Sequence, residues 1–298
     1  MRFLDASPQE LMLRRAALAL HASPLALRAL GRVLPGTLRV RWSSFVANYA
    51  HWSAERAHLD PDDWDRLTRG VPVLLYHAFG DEDNRYVVSR AAFARHLRLL
   101  ALLRFTVRPY AEVARSLREG RLPARRTVAL TFDDGYADNA DVAAPLLERR
   151  GYPATIFVVS SRLGGVTDWT AEAGVNGRPL LTAEQIAALG SRGFDAGAHT
   201  RTHADLTATG VAVEEEVASS RTELEAALGV PVPTFAYPYG RVNDRAVAAV
   251  RKAGFESACT TSPQLAQTGD DPLLVPRIEI KREDSLLQFV RKLWFGGA

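Results

Sequence analysis

Two carboxylates stand side by side at Asp133-Asp134, just before Gly135, and two imidazoles stand four positions apart in His199-Thr200-Arg201-Thr202-His203. These residue types can do hydrolytic chemistry. Two bare carboxylates in one pocket repel, so either one is protonated or a cation sits between them. A divalent metal on one Asp removes the conflict and leaves the other free to act as a base towards water. Histidines at i and i+4 fall on one side of a helical turn or tight loop and can share that metal. Two His and one Asp suit Zn²⁺, or Co²⁺, Ni²⁺ or Mn²⁺, with positions left open for water and substrate. Each pair also has a plainer reading: the Asp pair as a helix N-cap, the His pair as unrelated surface residues.

The elements that must position these groups are short apolar runs, each ending in a polar residue. Val73–Tyr76 leads into His77, Val128–Phe132 into Asp133-Asp134-Gly135, Phe194–Ala198 into His199, and Phe235-Ala236 into Tyr237-Pro238-Tyr239-Gly240. Helical patterns alternate with these runs, over 89–103, 109–119, 138–150, 182–192, 211–228, 244–253 and from about 284. Further strands are predicted at 104–107, 154–159, near 256–260 and near 274–280. Asp138 and Asn139 read as caps of the helix that follows them. Repeated strand–helix units imply a parallel sheet with helices outside, and in a parallel barrel all strand ends meet at one catalytic rim. The reading is α/β: a deformed (β/α) barrel of about seven strands over residues 71–298. The long 160–181 loop is predicted to wall a substrate groove. Residues 1–70, with Leu11, Leu18 and Leu25 at helical spacing, are predicted to form a helical N-terminal extension without chemistry.

Thr131-Phe132-Asp133-Asp134-Gly135 resembles the first motif of the polysaccharide deacetylase family (carbohydrate esterase family 4), His199–His203 its second and Tyr237–Gly240 its third. Matching segments run from about Val71 to Ile280. The resemblance implies a barrel of fewer than eight strands, with Asp133 as general base and Asp134, His199 and His203 as metal ligands. It also implies that the backbone N–H of Tyr239 completes an oxyanion site.

The chain departs from the family pattern twice. The third motif usually carries an Arg that pairs with the base, where this chain has Tyr237 or its neighbour. A Leu-x-His near the C-terminal end usually supplies the general acid, yet no His follows His203. Leu75-Tyr76-His77 is similar to that missing motif moved to the front, as in a permuted branch of poly-N-acetylglucosamine deacetylase-like members, which makes His77 the expected acid. Arg277 is the expected replacement partner of Asp133. Tyr237, Trp169 and Arg277 are the expected substrate-side residues, and Trp169 and Tyr239 have rings able to stack on a sugar.

Composition narrows the partners. A net charge of +3 over 298 residues, with no basic stripe, gives no argument for nucleic acid. One cysteine, Cys259, excludes an internal disulfide. No run is long and apolar enough to span a membrane. The N-terminus does not read as a signal peptide, so the expected location is cytoplasmic, against an envelope or extracellular location typical of the family. The expected reaction is metal-dependent removal of N-acetyl groups from an amino-sugar glycan. The alternatives are an O-acetyl esterase acting on a polysaccharide such as xylan, and a catalytically silent sugar-binding protein.

Overall fold

A computed structural model describes residues 70–124, 126–169 and 175–296. The predicted N-terminal helical extension lies, but for Gly70, outside the described residues. In chain order the strands are β1 (Val73–Tyr76), β2 (Ala78–Phe79), β3 (Val87–Val88), β4 (Thr106–Val107), β5 (Thr127–Phe132), β6 (Ala154–Val158), β7 (Phe194–Ala198), β8 (Thr234–Ala236), β9 (Ser257–Cys259) and β10 (Ile278–Glu279). The helices are α1 (Arg90–Leu102), α2 (Tyr110–Arg118), α3 (Ala144–Glu148), α4 (Ala183–Gly190), α5 (Val213–Leu228), α6 (Asp244–Lys252) and α7 (Leu286–Phe295).

The main sheet runs β10-β1-β5-β6-β7-β8-β9, with β4 pairing the start of β5, and every pairing in it is parallel. A parallel bridge from Cys259 to Val275 ties β9 to the segment that leads into β10. The sheet therefore curls into the deformed barrel that the strand–helix alternation predicts. No helix among the described residues is long and apolar enough to cross a membrane.

Period-two alternation sorts the strand residues into two cores. Leu74, Tyr76, Leu130, Phe132, Ile156, Val158, Phe235 and Ile278 face outward and join Phe93, Leu97, Leu147, Val217, Val250 and Phe289 from the helices. Val73, Ala129, Phe157, Ala236, Cys259 and Val275 form the second core with Tyr110, Val113, Ala114 and Leu117 of α2, which plugs one end of the barrel. Gly197 belongs to this interior: a Cβ there would lie 2.4 Å from the Phe157 ring. The inward phase, carried one step past β1, β5 and β7, is the phase of His77, Asp133 and His199, and Arg277, one step before β10, shares it with Val275.

Local chemistry sets the element ends. Thr182 with Gln185, and Ser285 with Gln288, form capping boxes that open α4 and α7. Gly229, at φ 68°, ends α5 in the left-handed region. The helix expected over 138–150 starts instead as a π-helical turn, Asn139–Ala143. Pro145, lacking an N–H, cannot bond back to Asp141, and the chain widens there. The strand expected from Arg104 begins at Thr106 because Arg104 has φ 57°. Pro276 interrupts the ladder of the last strand, so only Ile278–Glu279 pair with β1.

Candidate functional site

Asp133 and His199 sit one residue past their strands yet still continue the ladders: the Asp133 N–H donates to the Tyr76 carbonyl at 3.0 Å, and that of His199 to the Val158 carbonyl at 2.9 Å. The chain then turns sharply. Asp134, Gly135, Thr200, His203, Tyr239 and Gly240 all have positive φ. For the four non-glycine residues this is strained backbone, and strain of this kind collects where a site needs particular directions. Gly135 is also required by space, since its Cβ would lie 2.8 Å from Cγ1 of Val158.

Asp134, His199 and His203 are buried and each places one ligand atom within 4.8 Å of the others. Oδ1 of Asp134 lies 3.1 Å from Nε2 of His203 and 3.5 Å from Nε2 of His199. Nδ1 of His199 lies 2.8 Å from the Ala236 carbonyl. A carbonyl only accepts, so Nδ1 carries the proton and Nε2 turns its lone pair to the cluster. Burial pushes the His199 pKa down to about 4, keeping the ring neutral as a ligand must be. Burial works to raise the Asp134 pKa, but the hydrogen bond and charge of His203 outweigh it and hold the group well below the usual carboxylate range. Two imidazoles and one carboxylate, converging and buried, fit a first-row divalent cation.

Beside this cluster stands Asp133, with Oδ2 3.9 Å from Nε2 of His199. Arg277 grips it bidentately, Nη1 to Oδ1 and Nη2 to Oδ2, both at 2.6 Å. Arg277 is fully buried and anchored further by Nε donating to the Thr260 carbonyl at 3.0 Å. Burial opposes ionisation of Asp133, but Arg277 and then His199 prevail and its pKa falls.

These groups open into a cavity of about 1210 Å³ also lined by His77, Tyr86, Tyr136, Trp169, Tyr239 and Arg241. Nδ1 of His77 is buried without a hydrogen-bond partner among the described residues, and its ring meets the edge of Tyr86 at 5.0 Å. Trp169 stacks on His203 at 4.8 Å, and the Tyr239 hydroxyl lies 3.2 Å from Nδ1 of the same imidazole. Tyr239 remains 48% exposed, enough to present a ring face to a ligand.

The structure thus brings Asp133, Asp134, His199, His203, His77, Trp169 and Tyr239 to one cavity. Three expectations need correction. Tyr237 does not line the cavity: it follows Phe235 in the outward phase and is fully buried in the outer core. Arg277 lies behind Asp133 with no exposed surface, so it contacts the carboxylate rather than a substrate. Asp138 and Asn139 make no side-chain caps. Asp138 accepts from the Phe79 N–H at 3.0 Å and pairs with Arg178 at 2.6 Å, while Asn139 donates to the His77 carbonyl at 2.9 Å. Sequence reasoning missed Tyr86, Tyr136 and Arg241. Tyr136 directly follows the Asp-Asp-Gly turn and was findable from that position; Tyr86 and Arg241 sit in loops with no pattern to mark them.

The family model for polysaccharide deacetylase matches residues 121–258. That span holds Asp133, Asp134, His199, His203 and Tyr239; His77 and Arg277 fall outside it. YxkH of Bacillus subtilis, itself named for this family, is 26% identical over 211 residues, covering 70% of this chain and 71% of YxkH. The Staphylococcus aureus poly-β-1,6-N-acetyl-D-glucosamine N-deacetylase is 21% identical over 233 residues, covering 75% of this chain and 77% of that one. The solved structure of the Streptococcus pyogenes deacetylase PplD, in complex with acetate, matches with a TM-score of 0.65 at 26% identity, over 76% of this chain and 98% of the other.

Proposed function

Because this chain carries a polysaccharide deacetylase domain, we propose that it is a metal-dependent hydrolase that removes N-acetyl groups from an amino-sugar glycan. The observation that carries this reading is the buried Asp134–His199–His203 cluster set against the Asp133–Arg277 pair. A divalent cation held by that cluster, most simply Zn²⁺, supplies Lewis acidity to the acetyl carbonyl and makes water easier to deprotonate.

The remaining work falls to the chain's own residues. Asp133 takes a proton from the attacking water, whose oxygen adds to the acetyl carbon. Arg277 keeps Asp133 ionised and fixes its direction, so the base cannot swing towards the imidazoles. The backbone N–H of Tyr239 faces the developing oxyanion. His77 gives its proton to the leaving nitrogen as the C–N bond breaks, and acetate and a free amine remain. Trp169 and Tyr239, both packed against His203, offer ring faces to the sugar.

The N-acetyl preference rests on the named N-deacetylase relative and on His77, which an amine leaving group needs more than an alkoxide does. An acetate-release screen against chitin oligomers, poly-N-acetylglucosamine, peptidoglycan fragments and acetyl-xylan tests it. Acetate from the amino-sugar polymers supports the proposal; release from acetyl-xylan alone replaces it with O-acetyl esterase activity.

A further inference from the structure

Two members of the Asp-His-His cluster stand on a five-residue loop, and that loop is held by a group that does not line the cavity. Both left-handed residues of the loop, Thr200 at φ 63° and His203 at φ 65°, flank the segment Arg201-Thr202. Left alone, two such residues relax towards ordinary backbone and the imidazoles lose their common direction. Arg201-Thr202 is instead fastened to α5. Oε2 of Glu216 accepts from the Arg201 N–H at 3.0 Å and from the Thr202 N–H at 2.9 Å. Oε1 of Glu216 accepts from the Thr202 hydroxyl at 2.7 Å. The Glu216 main-chain carbonyl also accepts from the Arg201 N–H at 3.1 Å. One turn pair further along α5, Glu223 accepts from Nε of Arg201 at 2.7 Å and from the Ser160 hydroxyl at 2.5 Å.

We infer that Glu216 is a positioning residue for the metal site: its carboxylate fixes the loop between His199 and His203 in the strained form that lets both imidazoles meet Asp134. This rests on the metal reading above. Glu216 does not line the cavity, so it touches neither the ion nor the substrate. It acts by satisfying two adjacent backbone donors that would otherwise turn to water as the loop relaxes. The geometry also sets which replacements work. Because one oxygen accepts both N–H groups, the amide of E216Q can present its oxygen there and donate its NH₂ to the Thr202 hydroxyl. E216D is one methylene short and E216A has no acceptor.

The test is Zn²⁺ binding by the full chain in calorimetry, with the visible spectrum of the Co²⁺-loaded protein as a second readout. Groups that orient metal ligands without touching the metal are worth about 10- to 100-fold in affinity. E216A should lose affinity in that range and show an altered Co²⁺ spectrum, while E216Q stays near the parent. Thermal unfolding in chelator should show the apo forms of parent and E216A with similar midpoints. If E216A does not fold, the milder Thr202→Val, which removes only the hydroxyl contact, should still show a smaller loss of affinity. Parent-like affinity and spectrum in E216A, or in Thr202→Val where that variant stands in, overturn the inference and leave the metal reading intact. A parent chain that binds neither ion overturns the metal reading, and the inference with it.

Discussion

Arg277 closes both oxygens of Asp133 at 2.6 Å across a sequence separation of 144 residues, and it does so with no surface exposed to solvent. The pair fixes the state of the carboxylate proposed as the base: so held, Asp133 is ionised, directed and deprived of alternative partners.

Removing Arg277 should therefore cost more than activity. Arg277→Ala leaves the Asp133 carboxylate buried and unpaired, which typically destabilises by about 3–5 kcal/mol. Arg277→Lys keeps the charge but not the planar fork, so it should unfold at milder denaturant than the parent yet later than Arg277→Ala, with kcat reduced more than KM is raised. Urea unfolding and steady-state kinetics on the three proteins check the order.

Asp133→Asn separates the base from the metal. Asp133 is no member of the ligand cluster, so the substituted protein should bind Zn²⁺ while turnover falls by about 10²–10⁴-fold, the usual worth of a general base. Full activity in this protein would falsify the base assignment.

His77→Ala should discriminate between leaving groups. An amine must be protonated as it departs, whereas an alkoxide leaves more readily. Loss on an N-acetyl substrate should approach about 10²–10⁴-fold, and loss on an activated acetate ester should be much smaller. Equal losses on both would remove His77 from the acid role.

A different histidine governs stability. His96 is buried, stacks on Phe289 at 4.1 Å and has Nδ1 3.2 Å from the Tyr76 hydroxyl. Burial first, then the charges of Arg95 and Lys292, lowers its pKa to about 3. The unfolded chain takes up this proton near pH 6.5 and the folded chain does not, so the folded state binds fewer protons between those values. The contribution is complete above about pH 6.5 and is lost as pH falls towards 3, at no more than about 1.4 kcal/mol per pH unit. Urea unfolding at pH 7 and pH 5 should show a shallower pH dependence in His96→Gln than in the parent; identical slopes would contradict this.

Much of the site was legible in the sequence because strand ends impose order. Each apolar run stops one residue before its reactive group, and period-two alternation then assigns His77, Asp133 and His199 to the interior. Applied strictly, the same rule excludes Tyr237, since Phe235 already takes the outward phase; motif resemblance obscured it. Asp138 and Asn139 were misread because capping is a local rule. Their partners, Phe79, Arg178 and His77, come from distant segments that only the closed barrel brings near. The pairing of Thr202 with Glu216 was invisible for the same reason: nothing in a helical run of acidic residues says which of them turns back to hold a loop.

On the proposed function, the buried Asp-His-His cluster holds a metal that hydrolysis of an N-acetylated glycan requires. The decisive measurement is acetate release from N-acetylglucosamine oligomers by the full chain before chelation, after chelation and after Zn²⁺ is restored, with Asp134→Ala in parallel. Acetate should appear in step with free amine, be lost on chelation and return with the ion, and Asp134→Ala should show neither bound metal nor activity. Undiminished acetate release from the chelated protein, or from Asp134→Ala, would contradict the proposed function.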